Sequence, residues 1–386
     1  MEQRFPQPIR RVGVIGGGQL AWMMGLVAPT LDLELVVQTP QATDPAVAVA
    51  QAAVLAEVND VAATQALAAQ CDVITFENEF IDCEGLQTLA DQGTIFRPSL
   101  AVLALVLDKL KQRQCFARLG LPNPRYEALG GEFEADGLEA QAARLGFPLV
   151  MKTRRLGYDG YGTTVVRTLA ELSPTWERFR FAPVLLEEFV PFKQELAVMV
   201  ARSASGEVAL YPTVETQQVN QICRRVLVPA AVSAEVETTI TGMARTLVEA
   251  LNLVGIVGIE CFLTQDDRVL INEIAPRTHN SGHYSLDACP TSQFEQQLRA
   301  VSDRPLGPTH LTCPQAVMVN LLGLEVSEYR HQEKLASLKQ FPQATVYWYH
   351  KGIRPGRKLG HVTCRLEATE DPEQVAETLE RLWYSP

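Results

Sequence analysis

The chain has 386 residues, more than one hydrophobic core organises, so two or three domains are expected. Hydrophobic residues make up 47% and charged residues 20%, the balance of an ordinary globular protein, and no apolar run approaches the ~20 residues of a membrane helix. The net charge of −11 argues against a nucleic-acid partner, while a small anion needs only a few well-placed cations.

The first ten residues lack the apolar segment of a signal peptide, which makes the cytoplasm the expected location. The eight cysteines contain no Cys-x-x-Cys pair, so they read as small core residues rather than a zinc site.

In chain order, residues 11–15 read as a buried strand, 16–19 as a glycine turn and 20–27 as a helix. Residues 33–38 form a second strand, 47–53 and 61–70 look helical or loop-like, and 73–77 form a third strand. Strand and helix alternate, which predicts a parallel sheet and an α/β domain over 1–100. Ser99 is the expected N-cap of one long amphipathic helix running to Leu119, which Gly120 and Pro122 end. A small unit is expected up to residue 195, with a helix at 138–145 and strands at 148–153 and 184–189. The remainder, 196–386, is an α+β unit with strands near 195–201, 257–263, 269–273, 316–321 and 345–349.

The turn Gly16, Gly17, Gly18, Gln19, Leu20 follows a strand and opens a helix, the setting in which backbone N–H groups face an anion. A nicotinamide enzyme also places an acid at the end of the second strand. That strand ends Gln38, Thr39, Pro40, which disfavours an oxidoreductase and leaves an anion, a substrate or a purely structural turn.

Lys152 stands at the end of a strand, before a loop carrying Gly157, Gly160 and Gly162. That arrangement lets backbone bend over phosphates beside a point charge. It is not a Walker loop, and a glycine hairpin with a surface lysine is the plainer reading. Glu187, Glu188, Phe189 and Val190 end an apolar strand in a way that suits an adenine slot, with Glu195 as the ribose acceptor. Surface acids at a strand end are the alternative.

Residues 258–262 and 270–273 read as consecutive strands, each placing a carboxylate inward, Glu260 and Glu273. Two buried acids need a partner, and Mg²⁺, which takes oxygen ligands, suits them with Asn272 nearby. A core pairing with Arg277 is the alternative. Arg277, His279, Asn280, Ser281 and His283 follow in a polar loop able to hold an oxyanion. Lys351, Arg354, Arg357, Lys358 and His361 form a second basic cluster, read as a phosphate grip or as a solvated turn.

Together these segments resemble the ATP-grasp superfamily. Five of them narrow it: the glycine turn, Thr-Phe-Glu-Asn-Glu at 75–79, Gly-Tyr-Asp-Gly at 157–160, the run from Asn272 to His283, and Arg-Pro-Gly-Arg-Lys-Leu-Gly-His at 354–361. In that order the set resembles the N5-carboxyaminoimidazole ribonucleotide synthetase family across residues 11 to 365. The resemblance implies an ATP-grasp fold with an N-terminal Rossmann-like domain (1–100), a linker helix and lid (101–195) and a C-terminal α+β domain (196–386).

It also implies that ATP and bicarbonate carboxylate 5-aminoimidazole ribonucleotide through carboxyphosphate. ATP would contact Lys109, Lys152, Gly157, Tyr158, Asp159, Gly160, Tyr161, Gly162, Thr163, Glu187, Glu188, Phe189, Val190, Glu195, Gln218, Asn272 and Glu273, with Mg²⁺ on Glu260 and Glu273. Arg277, His279 and Asn280 would hold bicarbonate and carboxyphosphate. The ribonucleotide would lie against Gln19, Leu20, Glu77, Tyr158 and Asp159, with Lys351, Arg354, Arg357 and Lys358 at its phosphate. Tyr158, Asp159 and Lys351 are also expected in catalysis. A homodimer, coupling to the downstream mutase, and no nucleic-acid or membrane partner complete the expectation.

Tyr161, Gln218 and Lys109 depart from the family pattern, which often has Arg, Lys or Gln, then histidine, then Arg at these three positions. A formate-using or amino-acid ligase on the same scaffold and a noncatalytic nucleotide-binding regulator are the competing readings.

Overall fold

A computed structural model describes residues 8–130, 137–155, 162–325 and 327–385. Four strands form the first sheet: β1 (Arg11–Ile15), β2 (Glu34–Thr39), β3 (Ala52–Leu55) and β4 (Val73–Phe76). They are parallel in the order β3-β2-β1-β4. Helices Gln19–Val27 and Val61–Ala68 provide crossovers. The alternation in the sequence anticipated this sheet but missed β3. Residues 47–53 are a 3₁₀ turn (Pro45–Ala48) followed by an edge strand, whose partly exposed Ala-Ala-Val-Leu carries neither period clearly.

The expected long helix is two helices, Leu100–Val106 and Lys109–Arg118. The break has a local cause. Asp108 leaves the helical region and caps the second helix by accepting from Leu110 N, while Lys109 N–H donates to Arg154 O at 2.9 Å. Ser99 caps the first helix as expected.

A small antiparallel sheet follows, β5 (Tyr126–Leu129), β6 (Leu149–Thr153), β7 (Thr163–Val166) and β8 (Val184–Glu188), in the order β5-β8-β6-β7. The third sheet holds β9 (Phe192–Arg202), β10 (Val208–Leu210), β11 (Val214–Val219), β12 (Ile222–Val228), β13 (Gly255–Thr264), β14 (Val269–Ala275), β15 (Gln315–Leu322), β16 (Ala344–Trp348) and β17 (Lys358–Leu366). Its order is β14-β13-β9-β11-β12-β15-β17-β16, with β10 on β9.

One face of this sheet buries helix Ala234–Ala250 through Val236, Ile240, Met243 and Leu247, the i, i+4, i+7, i+11 stripe of an amphipathic helix. Helix Gln293–Val301 lies between sheets, packing Phe294, Leu298 and Val301 into the core of the first domain beside Tyr349. The eight cysteines are free, and among the described residues no helix is long and apolar enough to cross a membrane.

Candidate nucleotide and carboxylation site

The pair β13 and β14 is antiparallel, with Glu260 opposite Glu273. The ladder then skips a residue: Cys261 pairs with Ile271, so Asn272 is an inserted residue in a β-bulge. In a regular strand Asn272 and Glu273 point to opposite faces. The bulge lets both reach one pocket. Asn272 Oδ1 accepts from Lys152 Nζ at 3.0 Å, and Glu273 Oε2 meets Lys109 Nζ at 2.5 Å.

Lys152, at the end of β6, also lies 2.7 Å from Glu187 Oε2 on β8, and Arg113 binds the other Glu187 oxygen at 2.6 Å. Three elements distant in sequence thus form a chain of alternating charge. Burial raises the Glu187 carboxyl, but Arg113 and Lys152 overcome it and hold it below its ordinary value. Burial lowers Lys152 despite Glu187.

Glu260 and Glu273 are driven apart. Burial, with Glu273 and Glu195 nearby, pushes Glu260 up; Lys109 and Lys152 outweigh burial at Glu273 and hold it down. Their donors are oxygens, as Asn272 Oδ1 is, so the set fits a hard divalent cation. Among the described residues no three acidic, His or Cys side chains gather into a metal cage. Glu195 accepts from the side chain of Gln218, and burial raises its carboxyl.

His279 Nε2 lies 3.5 Å from Glu260 Oε1, and Arg277 Nη2 lies 3.0 Å from Glu79 Oε1. His279 thus stands beside Glu260, while Arg277 is paired with Glu79. Asn280 is less available than expected. Its amide exchanges two hydrogen bonds with buried Asn320, at 2.9 and 2.7 Å, which commits Oδ1 and one Nδ2 hydrogen to the sheet.

The glycine turn holds an anion, but one from the chain itself. Gly18 N donates to Glu77 Oε2 at 2.5 Å and Leu20 N to Glu77 Oε1 at 3.1 Å. A Cβ on Gly18 would stand 2.4 Å from Glu77 Oε1, and Gly16, at φ +121°, holds a backbone conformation that favours glycine. Gln19, Leu20 and Glu77, expected at the substrate, lie together at this turn. Glu77 is a buried helix cap, Leu20 packs its side chain into the core, and Gln19 is the member that meets Lys351, through Oε1 and Nζ.

Burial lowers Lys351 to about 8 against the pull of Glu77. Arg354 is exposed, with Arg357 and Lys358 partly buried. Gly323 organises that turn, donating to Arg357 O at 2.8 Å and accepting from Gly356 N at 2.9 Å.

On β8, the Glu188 carboxylate binds Arg125 Nε at 2.7 Å and the Glu188 N–H donates to Arg125 O, so neither group is left for a base. Phe189 is exposed and Val190 buried. Gly162 and Thr163 open β7, where Gly162, at φ +78°, passes against Thr153. Gly157, Tyr158, Asp159, Gly160 and Tyr161 lie outside the described residues. Sequence reasoning missed Arg113, Asn320 and Gln293, each distant from the motif it supports.

Domain profiles match three segments: a ribonucleotide synthetase preATP-grasp domain over 9–106, an ATP-grasp domain over 114–294, and a phosphoribosylaminoimidazole carboxylase C-terminal domain over 316–375. The N5-carboxyaminoimidazole ribonucleotide synthase of Synechococcus elongatus is 54% identical, over 98% of this chain and 97% of its own length.

The chain belongs to the N5-carboxyaminoimidazole ribonucleotide synthase family.

Solved structures agree. The synthetase from Thermotoga maritima superposes with a TM-score of 0.85 at 36% identity, covering 96% of this chain and 97% of that one. The synthase from Aspergillus clavatus, solved with ADP and 5-aminoimidazole ribonucleotide, gives 0.89 at 31% identity, covering 97% and 98%. The ATP-grasp architecture anticipated from the motifs is therefore the architecture of the chain.

Proposed function

We propose that this protein is an ATP-dependent ligase that carboxylates 5-aminoimidazole ribonucleotide, using bicarbonate, to N5-carboxyaminoimidazole ribonucleotide in purine biosynthesis. The observation that carries the reading is the bulge at Asn272. It gathers Lys109, Lys152, Glu260 and Glu273 at one point, with His279 beside Glu260 and Arg277 on Glu79. The relative solved with ADP and 5-aminoimidazole ribonucleotide supports both substrates.

Lys152 and Lys109 neutralise phosphate oxygens of ATP. Glu260 and Glu273 would hold Mg²⁺, which would supply charge neutralisation at the phosphates. Arg277 offers a planar fork to bicarbonate, and His279 borders the same space. A bicarbonate oxygen attacks the γ-phosphorus, the bond to the bridging oxygen breaks, and ADP leaves with that electron pair. The resulting carboxyphosphate passes its carboxyl carbon to the amine of the ribonucleotide and releases phosphate. Lys351, held by Gln19, with Arg354, Arg357 and Lys358, positions the ribonucleotide. Catalysis here is positioning and charge neutralisation rather than covalent chemistry by the protein.

The test is ADP release with each substrate omitted in turn. Release that needs both bicarbonate and 5-aminoimidazole ribonucleotide supports the reading. Release sustained by formate in place of bicarbonate overturns it in favour of a formate ligase, and no release under any combination favours a nucleotide-binding regulator.

A further inference from the structure

We infer that Gln293 is a positioning residue for bicarbonate, acting through the backbone of His279; the inference rests on the reading that His279 borders the bicarbonate site. Gln293 is the first residue of helix Gln293–Val301 and is fully buried. Its side-chain amide bonds His279 on both sides. Oε1 accepts from His279 N at 2.9 Å, and Nε2 donates to His279 O at 2.8 Å. The second Nε2 hydrogen goes to His283 Nδ1 at 2.8 Å. One glutamine therefore does for His279, which is extended at φ −126° and ψ 154°, what a neighbouring strand does for a residue in a sheet.

The clamp is closed around that residue. On the other side Gly258 of β13 brings bare backbone against His279, where a Cβ would stand 2.7 Å from the His279 Cβ. Gly282 is equally constrained, since its Cβ would lie 2.6 Å from Gln293 Oε1. The backbone of Gln293 is itself fixed: its N–H donates to Ser285 Oγ at 2.9 Å, and that hydroxyl donates to Gly282 O at 2.6 Å. With the His279 backbone gripped, the ring is aimed by Ser281 Oγ, 2.9 Å from Nδ1, leaving Nε2 towards Glu260.

Only an amide of this length meets the need. Glutamate keeps the acceptor but loses both donors, and asparagine is one methylene short. Methionine preserves the volume and makes none of the bonds.

The same helix supplies a matched control. Gln296 is also fully buried, and its amide also brackets one backbone residue, donating to Gly307 O at 2.8 Å and accepting from Gly307 N at 2.9 Å. Gly307 belongs to a loop that carries none of the site residues.

Gln293→Met and Gln296→Met are compared in steady state, with His279→Gln as the reference for the site itself. Gln293→Met is expected to raise KM for bicarbonate about tenfold while KM for ATP and for 5-aminoimidazole ribonucleotide stays within about twofold. Gln293→Asn is expected to recover none of it. Gln296→Met is expected to lower Tm comparably and leave the bicarbonate KM unchanged.

The inference is overturned if Gln293→Met leaves the bicarbonate KM unchanged while His279→Gln raises it. It is equally overturned if Gln293→Met and Gln296→Met shift all three KM values alike. If His279→Gln itself leaves the bicarbonate KM unchanged, the assignment of the site fails, and the role of Gln293 fails with it.

Discussion

Lys109 reaches Glu273 at 2.5 Å across 164 positions of sequence, so a lysine at a helix start and a carboxylate beside a strand bulge form one unit. Glu273→Gln removes the charge that opposes Lys109 and Lys152 and half of the carboxylate pair. Turnover is expected to fall about a hundredfold or more, the scale of losing a preorganised charge at a transition state. Binding of 5-aminoimidazole ribonucleotide should be unchanged. ADP release and calorimetric titration of the ribonucleotide check both parts.

Glu187 and Arg113 form the most enclosed ion pair of the site, with side chains only 2% and 3% exposed. Glu187→Gln strands Arg113 and Lys152 as neighbouring buried cations. A loss of about 3–5 kcal/mol is expected in denaturant unfolding, because an unmatched buried charge keeps its full desolvation cost. Glu34→Gln breaks the Arg11 pair, whose side chains are about half exposed and screened by solvent, and should leave unfolding nearly unchanged.

Lys351 titrates near 8 because burial disfavours its charged form. Its cation is therefore present below that pH and lost above it. The kcat/KM for 5-aminoimidazole ribonucleotide is expected to fall about tenfold per pH unit above 8. Lys351→Arg, which keeps its charge throughout, should remove that limb of the profile even if it lowers the plateau.

His361 is fully buried, accepts from or donates to Tyr349 Oη through Nδ1 at 2.6 Å, and is lowered to about 3 by burial. The unfolded chain binds its proton near 6.5 and the folded chain near 3. Between those values the unfolded state holds the extra proton, so stability falls as pH falls. His283, also buried and lowered, acts in the same direction. Each histidine should contribute a slope of about 1.4 kcal/mol per pH unit. His361→Gln is expected to flatten the dependence of unfolding free energy between pH 6 and 4 by one proton.

Much of the architecture was legible because it rests on local rules. The apolar strand, three glycines and apolar helix at 11–27 determine a crossover unit, and the carboxylates at 260 and 273 stand on short apolar runs that read as buried strands. What escaped depends on long-range partners. The helix break at Asp108 is stabilised by Arg154, whose guanidinium binds its carboxylate at 2.6 Å from another sheet. Asn280 reads as a free donor until Asn320 is folded against it, forty residues away.

The glycine turn reads as a possible anion site, and in the fold two N–H groups there are met by the Glu77 carboxyl group. Only one missed feature had a visible trace. Gln293, Gln296 and Gln297 lie on the i, i+3, i+4 positions of a helix whose other buried members are apolar, and three amides on an inward face announce backbone to be held.

The bulge at Asn272 has a consequence for anyone who redesigns this hairpin. Deleting one residue would restore an unbroken ladder between β13 and β14, improve its regularity and leave the hydrophobic face intact. It would also send one of two adjacent side chains through the sheet to the wrong side, separating the amide on Lys152 from the carboxylate on Lys109. Tidiness and activity are opposed at this one position. A sequence optimised only for a well-formed sheet would fold readily and would have discarded the irregularity on which its chemistry depends.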